Sequence, residues 1–417
     1  MPLSSVKPGW RWSARMVAVV ATAASLFPVP SGGRTSWSHP TLLSAPRNAA
    51  LAFDDALWLH RGDIPGEKTP WAAMNRDALI DLHRLSSLPP NEGGIAGGAA
   101  RSWSYTWPRD ASFAAAALAR TGHAREALAA VRFLERVQEP DGGFEARYLP
   151  SGDGPPDDRP RQSDGAGWVL WGLDQVSRAT DGGSVADEAS EAREILREHH
   201  ALLDRATDFI LRQTAHPGGL PAPSPDYWEL HETRLTLGVA APLLAGLQAS
   251  SRMYAVLGER GRALRSAAAA RRLERAVVAR FGPGGYQRYG NSGGVDAATC
   301  FLLEPFVHLR NPGPVIAAWR RYQVTALRPG GGLAPGVSWR RDGISWTPET
   351  ALVALTAAAF SERSIAEHWM GWLDQHRTTW GSLPEKVRPD GQPAGPAPLT
   401  WTAAIVVLTT LELTTSE

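Results

Sequence analysis

Helical segments alternate with two kinds of connection along most of the chain, and this alternation restricts the fold more than any other feature. From residue 49 onward, apolar residues recur at i, i+3 and i+4, which is the period of a helix with one buried face. Short polar turns such as Arg120–His123 and Leu257–Arg260 join the segments into pairs, whereas long loops separate the pairs. The pairs recur about every 60 residues, a period typical of stacked helical hairpins.

Six such hairpins can close into an all-α (α/α)6 toroid, with the inner helices around an axis and the long loops at one end. We predict a single domain of this kind over residues 48–417, because no linker interrupts the repeat. The predicted helical runs are Ala49–His60, Trp71–Leu88, Trp107–Arg120, His123–Val137, Gly165–Ala179, Ala189–Gln213, Glu232–Leu257, Arg260–Phe281, Val295–Leu309, Gly313–Ala326, Thr347–Phe360, Ser361–His376 and Leu399–Leu413. A rigid scaffold commonly carries its chemistry on its loops, so we expect the active site at the loop end.

The first 31 residues have the pattern of an export signal. Lys7, Arg11 and Arg15 precede the apolar run Met16–Leu26, and Phe27–Pro30 ends it. The run is shorter than the roughly 20 residues of a membrane-spanning helix. We therefore predict a secreted or cell-envelope protein, with an uncleaved N-terminal anchor as the alternative, and a flexible lead-in over residues 32–47.

Composition excludes several classes of function. The net charge is +1 and the basic residues are spread along the chain, which argues against a nucleic-acid partner. The single cysteine, Cys300, excludes an internal disulfide and any cysteine-based metal site. No His-Glu-x-x-His spacing occurs, so we predict neither a metal nor an organic cofactor. The 17 tryptophans are unusually many and fit either carbohydrate stacking or helix packing.

An aromatic segment with two opposite charges precedes one of the alanine-rich helices. Pro108 suits the first turn of a helix, so Arg109 and Asp110 should lie where a loop becomes that helix. Tyr105 and Trp107 stand just before them. Aromatic faces beside groups that form bidentate hydrogen bonds could bind a sugar ring. The alternative is a loop–helix corner with a local ion pair.

Two loop glutamates are candidates for acid–base chemistry. Cleavage of a glycosidic bond requires one protonated and one ionised carboxyl group. Glu229 follows Trp228, whose apolar ring could raise the pKa of the carboxyl group, so Glu229 is the acid candidate. Glu385, in the last long loop, is the second candidate. The alternative is that both are exposed loop carboxylates without a catalytic role.

Five short segments, in the same order, resemble segments of the glucoamylase-type glycoside hydrolases, family 15. Tyr105–Asp110 resembles the family's Tyr-x-Trp-x-Arg-Asp, whose Arg and Asp bind hydroxyls of the terminal sugar. Gln162–Leu170 resembles Gln-x-Asp-x-x-Gly-x-x-Leu, and Trp228-Glu229 resembles the Trp-Glu that carries the general acid. The other two are Gly294–Ala297, which is similar to a Leu-Asp-Ala segment of bacterial members, and Leu383–Glu385 with Pro398–Trp401, which is similar to the general-base segment and the helix after it.

The resemblance covers most of the chain after about residue 50 and implies an (α/α)6 barrel with an inverting, exo-acting α-glycosidase activity, specifically an α-glucosidase. It implies Glu229 as general acid and Glu385 as general base. The sugar-binding residues that it implies are Tyr105, Trp107, Arg109, Asp110, Trp168, Trp228 and either Arg340 or Arg341. The substrate would be an oligosaccharide or polysaccharide. One departure is Leu230, which stands where the family often has a second acidic residue.

Three other functions are compatible with the same sequence features. Trehalose hydrolysis is performed by bacterial relatives of this type. A toroid hydrolase of another envelope glycan is a second possibility, and a non-catalytic sugar-binding protein on the same scaffold is a third. Any of the catalytic functions requires Glu229 and Glu385 at the same end of the barrel.

Overall fold

The computed structural model describes residues 49–88, 93–179 and 185–415. The predicted leader, residues 1–31, and the predicted lead-in, residues 32–47, lie outside this range. The helices of the described residues are α1 Ala49–Leu59, α2 Ala72–Ser86, α3 Pro108–Ala119, α4 Ala124–Val137, α5 Asp164–Arg178, α6 Val185–Glu198, α7 His200–Gln213, α8 Leu237–Val256, α9 Arg260–Phe281, α10 Gly313–Thr325, α11 Thr347–Ala359, α12 Arg363–Gln375 and α13 Thr400–Thr415.

Six elements form a closed inner ring. In ring order they are α3, α5, α8, the short 3-10 segment Ala297–Leu302, α11 and α13, and α13 packs back against α3. The outer helices α4, α7, α9, α10, α12 and α2 cover this ring. The predicted (α/α)6 toroid is confirmed.

Burial separates the two rings. Every residue of α3 is buried, and after Arg109 and Asp110 the helix is small or apolar on all sides, as expected of an inner helix. On the outer helix α4, by contrast, only the face formed by residues such as Ala127, Val131 and Leu134 is buried. Each inner element is preceded by a long loop, so the loops meet at the end of the toroid where the inner helices begin.

Two predicted helices are replaced or divided in the structure, and a third, Glu232–Leu257, begins later, at Leu237. The predicted run Val295–Leu309 is reduced to the 3-10 segment Ala297–Leu302, because Pro305 lacks the N–H that a continuing helix requires. Asp296 caps that segment by accepting a hydrogen bond from the backbone N–H of Ala298 at 3.1 Å. The predicted run Ala189–Gln213 is divided into α6 and α7 at His199.

A small antiparallel sheet fixes the last long loop against α11. The strands are β1 Ser345–Trp346, β2 Lys386–Val387 and β3 Pro393–Ala394, in the order β1-β2-β3. Trp346 pairs with Lys386, and the backbone N–H of Thr347 donates to the carbonyl of Glu385 at 3.0 Å. This pairing places Glu385 beside the first turn of α11. None of the helices in the described part of the chain has both the length and the apolar content needed to span a membrane.

Candidate active site

Arg109 is a buried cation at the end of the toroid where the long loops meet. It and Asp110 lie in the first turn of α3, after Pro108, and are only 6% and 4% exposed. The Nη2 atom of Arg109 lies 3.2 Å from Asp110 Oδ2 and 3.6 Å from Glu229 Oε1. The guanidinium also stacks over the ring of Trp401 at 4.5 Å. A buried arginine that faces carboxylates can hold several oxygen atoms of a ligand in fixed positions.

Glu229 is positioned by a tight turn in the loop before α8. Its backbone N–H donates to the carbonyl of Asp226 at 2.8 Å, and its φ is +55°, a conformation that few residues other than glycine adopt. Gln162 Nε2 donates to Glu229 Oε1 at 2.9 Å, and Arg159 Nη1 donates to Oε2 at 3.2 Å. The strained turn therefore presents the carboxylate to donors from the neighbouring loop.

The environment of Glu229 differs from the apolar one predicted from its neighbour Trp228. Its carboxylate lies among the polar groups of Gln162, Arg159 and Arg109. The ring of Trp228 packs instead against the guanidinium of Arg288, at 3.7 Å. Adjacent side chains on a turn point in different directions, so sequence neighbourhood did not define the surroundings of Glu229.

Arg288 joins two loops beneath Trp228 and was not identified from the sequence. The side chain is fully buried and lies 2.9 Å from Asp226 Oδ1, 2.7 Å from Glu232 Oε1 and 3.0 Å from Asp296 Oδ2. Asp226 also accepts a hydrogen bond from the N–H of Trp228 at 3.0 Å. The arginine and its three carboxylates therefore hold the turn that carries Glu229.

Glu385 lies in the last long loop and is 3% exposed. The Lys386 Nζ atom lies 2.8 Å from its Oε2. Burial raises the pKa of Glu385, Lys386 opposes this effect, and the charge of Asp110 adds to it. Burial likewise raises the pKa of Asp110 to about 6, an effect that Arg109 opposes and Glu229 reinforces. Asp110 thus interacts with both glutamates, which places them at the same end of the toroid.

Two further buried carboxyl groups face Arg109, and sequence reasoning gave neither a role. Burial raises the pKa of Asp164 to about 7, with Arg109 opposing, and Trp168 Nε1 donates to Asp164 Oδ2 at 3.2 Å. Burial raises the pKa of Glu349 to about 8; Glu385 adds to this effect and Arg109 opposes it. The available sequence signal for Glu349 was a carboxylate at the start of a helix in which every other residue is apolar or threonine.

The aromatic residues that were predicted to line the site are buried to different extents. Tyr105 is half-buried and Trp107 is buried, and Arg147 packs over their rings at 4.4 and 5.2 Å. Trp168 was predicted to line the wall, but its ring has no exposed surface and packs 4.8 Å from Phe301 in the core. The helical period places Trp168 one turn below Asp164, and it supports that carboxyl group from behind.

The two candidate arginines of the loop before α11 are both exposed. The guanidinium of Arg340 lies 5.5 Å from the ring of Trp339, which in turn packs against Trp228 at 4.9 Å. Contacts therefore connect Arg340 to the site, through two tryptophans. In the part of the chain that the structure describes, no group of three or more His, Cys, Asp or Glu side chains is arranged to hold a metal ion.

The fold and the loop-end carboxyl groups define an (α/α)6 toroid protein with a charged, buried site. Solved structures of the same fold include a glycosidase in wild-type form (TM-score 0.67, 20% identity, 87% of this chain and 98% of that chain) and a glycosidase variant in complex with glucose (TM-score 0.68, 20% identity, 87% and 98%). A bacterial glucoamylase complexed with acarbose has a TM-score of 0.66 at 15% identity, over 86% of this chain and 57% of that chain. The glucoamylase from Saccharomycopsis fibuligera has a TM-score of 0.61 at 11% identity, over 92% and 98%. Neither a protein-family model nor a curated protein sequence matches the chain.

Proposed function

We propose that this protein is a glycoside hydrolase, and specifically an inverting, exo-acting α-glycosidase that removes terminal glucose from α-linked oligosaccharides. The observation that carries the proposal is the placement of Glu229 and Glu385, from loops more than 150 residues apart in the chain, around one buried Arg109–Asp110 pair. Glycosidic hydrolysis needs two carboxyl groups that flank one bond.

In the proposed mechanism, Glu229 donates its proton to the oxygen of the leaving group. Glu385 removes a proton from a water molecule, which attacks the anomeric carbon from the opposite face of the sugar. The glycosidic C–O bond breaks as the C–O bond to water forms, so the configuration at the anomeric carbon is inverted. Lys386, 2.8 Å from Glu385 Oε2, keeps the base ionised by stabilising its negative charge.

Arg109 and Asp110 are proposed to bind the hydroxyl groups of the terminal sugar. Both side chains lie deep at the N-terminus of an inner helix, where their exposed fractions are below one tenth. A buried charged pair can hold the hydroxyl groups of a chain end, whereas an internal sugar of a long chain would need an open cleft. This burial supports exo-action.

Glucose as the terminal sugar is supported by the solved structures of the same fold. One of those glycosidases was solved in complex with glucose, and the bacterial glucoamylase was solved with acarbose. These ligands support glucose as the sugar class in the proposal for this chain.

The test is an NMR time course with the purified protein. Maltose, isomaltose, longer malto-oligosaccharides and trehalose are offered separately, and Glu385→Gln is the control. We expect early β-glucose from an α-linked substrate and none from the variant. Early α-glucose would mean retention and would overturn the roles of both glutamates. Cleavage of trehalose alone would identify a trehalase, and cleavage of none would contradict the glucosidase proposal.

A further inference from the structure

Glu349 is a carboxyl group of the site that the proposed mechanism does not use. It is the third residue of α11 and is 2% exposed. The β1–β2 pairing of Trp346 with Lys386, and the hydrogen bond from Thr347 to the carbonyl of Glu385, hold the first turn of α11 against Glu385. The charge of Glu385 accordingly acts on Glu349 more strongly than the charge of Arg109 or of Lys386 does.

The two carboxyl groups have unequal partners. Glu385 has the ammonium group of Lys386 at 2.8 Å from its Oε2. Glu349 Oε2 and Glu385 Oε2 are both buried without a well-aligned hydrogen bond from the residues that the structure describes, and among those residues Glu349 has no ion-pair partner. Two neighbouring carboxyl groups in a buried site do not both ionise, and the charge goes to the one with the better partner. The negative charge therefore resides on Glu385 and the proton on Glu349.

We propose that Glu349 is a positioning residue for Glu385. Glu349 retains its proton beside Glu385 and thereby leaves Glu385 as the ionised base. The inference rests on the proposed function, because it gives Glu349 a role in the reaction assigned to Glu385. No bond is made or broken by Glu349 during turnover. Its neutral form also leaves the charge of Arg109 available to the substrate and to Asp110.

The charged and titratable groups around Glu349 determine the pH at which Glu349 loses its proton. Glu385 and Lys386 face it from the strand that pairs with β1, Arg109 from α3 and Tyr322 from α10. On α13 the contact with this turn is the uncharged Thr402, whose hydroxyl lies 2.8 Å from that of Thr347. With a pKa of about 8, Glu349 is neutral at pH 6 and gains a charge in alkaline solution.

The first test measures the protonation state of Glu349 through protein stability and does not depend on enzyme activity. A carboxyl group whose pKa is raised on folding contributes stability that is fully present below the pKa of the unfolded chain and is lost as pH rises through the folded pKa. We therefore expect Glu349→Gln to have a Tm near that of the wild type at pH 5 and a Tm higher by about 2 °C or more at pH 8.5. Glu367→Gln, at the exposed ion pair with Arg363, is the matched control, and its Tm difference should not change with pH.

The second test uses the α-glucoside that the NMR panel identifies. Glutamine has the shape of a protonated glutamate, so Glu349→Gln should lose far less kcat at pH 6 than Glu385→Gln, which loses on the order of 10²-fold or more. The alkaline decline of kcat/KM should move to higher pH in Glu349→Gln. If Glu349→Gln folds poorly, Glu349→Met serves as a second neutral variant in both tests.

The outcomes separate this proposal from the glycosidase proposal. A Tm difference between Glu349→Gln and the wild type that is equal at the two pH values would show that Glu349 holds no proton, and would overturn the inference even if the enzyme cleaves glucosides. Loss of turnover in Glu349→Gln equal to that in Glu385→Gln would overturn it too, because Glu349 would then be needed in its ionised form. If no substrate is cleaved but the Tm difference appears at pH 8.5, the proposed function fails while the protonated state of Glu349 stands.

Discussion

Arg159 extends from the loop before α5 to Glu229, and its Nη1 atom lies 3.2 Å from Glu229 Oε2. The same arginine lies 3.3 Å from Asp157, which also contacts Arg147 above Tyr105. A half-exposed cation on a surface loop therefore contacts the proposed general acid directly. A substrate that binds at Glu229 must therefore either displace Arg159 or share its hydrogen bonds.

Substitution of Arg159 by glutamine should reduce turnover by loosening the proposed general acid. The variant loses the hydrogen bond from Arg159 Nη1 to Glu229 Oε2, so kcat/KM should fall by up to about 5-fold, which corresponds to the ~1 kcal/mol of an exposed ion pair. The measurement is kcat/KM with the α-glucoside that the NMR panel identifies. Arg161→Gln is the matched control, since Arg161 lies in the same loop but pairs with Asp141 at 2.8 Å. An equal kcat/KM for both variants would remove Arg159 from any role in the acid step.

Substitution of either proposed catalytic glutamate should reduce turnover without unfolding the protein. We expect Glu229→Gln and Glu385→Gln each to lose on the order of 10²–10⁴-fold in kcat, the usual contribution of a positioned acid or base. Glu229 is partly exposed on a loop, so its variant should keep a Tm close to that of the wild type. The exposed Glu367→Gln serves as the control. Near-normal turnover in either active-site variant would exclude that residue from its assigned role.

The toroid could be predicted from the sequence because its cause is local. The 3.6-residue period and the recurring short turns define hairpins without reference to distant residues. The inner ring segment Ala297–Leu302 was missed as a 3-10 element, since its apolar residues fit a helical pattern and only Pro305 and the Asp296 cap shorten it. A ring of helices tolerates this replacement because neighbouring helices still cover the apolar residues.

The site was predictable only where its residues stand together in the chain. Arg109 and Asp110 are adjacent and follow a proline, so their placement at a helix start followed from sequence. The partners of Arg288 come from two loops, as far as 62 residues away, and no local pattern joins them. The pairing of Glu349 with Glu385 depends on two short strands in the same way. Charge networks of this kind are set by tertiary contacts, and their members cannot be chosen from 42 acidic residues by spacing alone.

Removal of the Arg288 side chain should both destabilise the protein and reduce turnover. Arg288→Met leaves three carboxylates buried without their counter-charge, and breaking a buried ion pair in this way costs about 3–5 kcal/mol. The turn that carries Glu229 loses its support at Asp226, so kcat should fall as well. Urea unfolding and steady-state kinetics are the measurements.

The control for Arg288 is an arginine at an exposed ion pair. Arg363→Met removes the pair with Glu367, where both side chains are more than 40% exposed, and should cost less than about 1 kcal/mol. If Arg288→Met were no more destabilising than Arg363→Met, the buried network would not support the loop. If it were destabilising without any change in kcat at a temperature where it is folded, the network would not position Glu229.

Sugar binding should weaken as the pH falls through about 6. Burial raises the pKa of Asp110 to about 6, so below this pH the carboxyl group is increasingly protonated and accepts fewer hydrogen bonds from sugar hydroxyls. KM should therefore rise below pH 6 in the wild type. The pH dependence of stability has the opposite sign. The folded state favours the protonated form of Asp110, so its contribution to the free energy of unfolding is present at low pH and is lost as pH rises through 6.

The test of Asp110 is a pair of variants. Asp110→Asn should have a high KM that no longer changes between pH 5 and 7, whereas Asp390→Asn, at an exposed loop pair with Arg388, should match the wild type. A KM that rises below pH 6 to the same extent in Asp110→Asn and in the wild type would assign the titration to another group, and Asp164 would be the next to test.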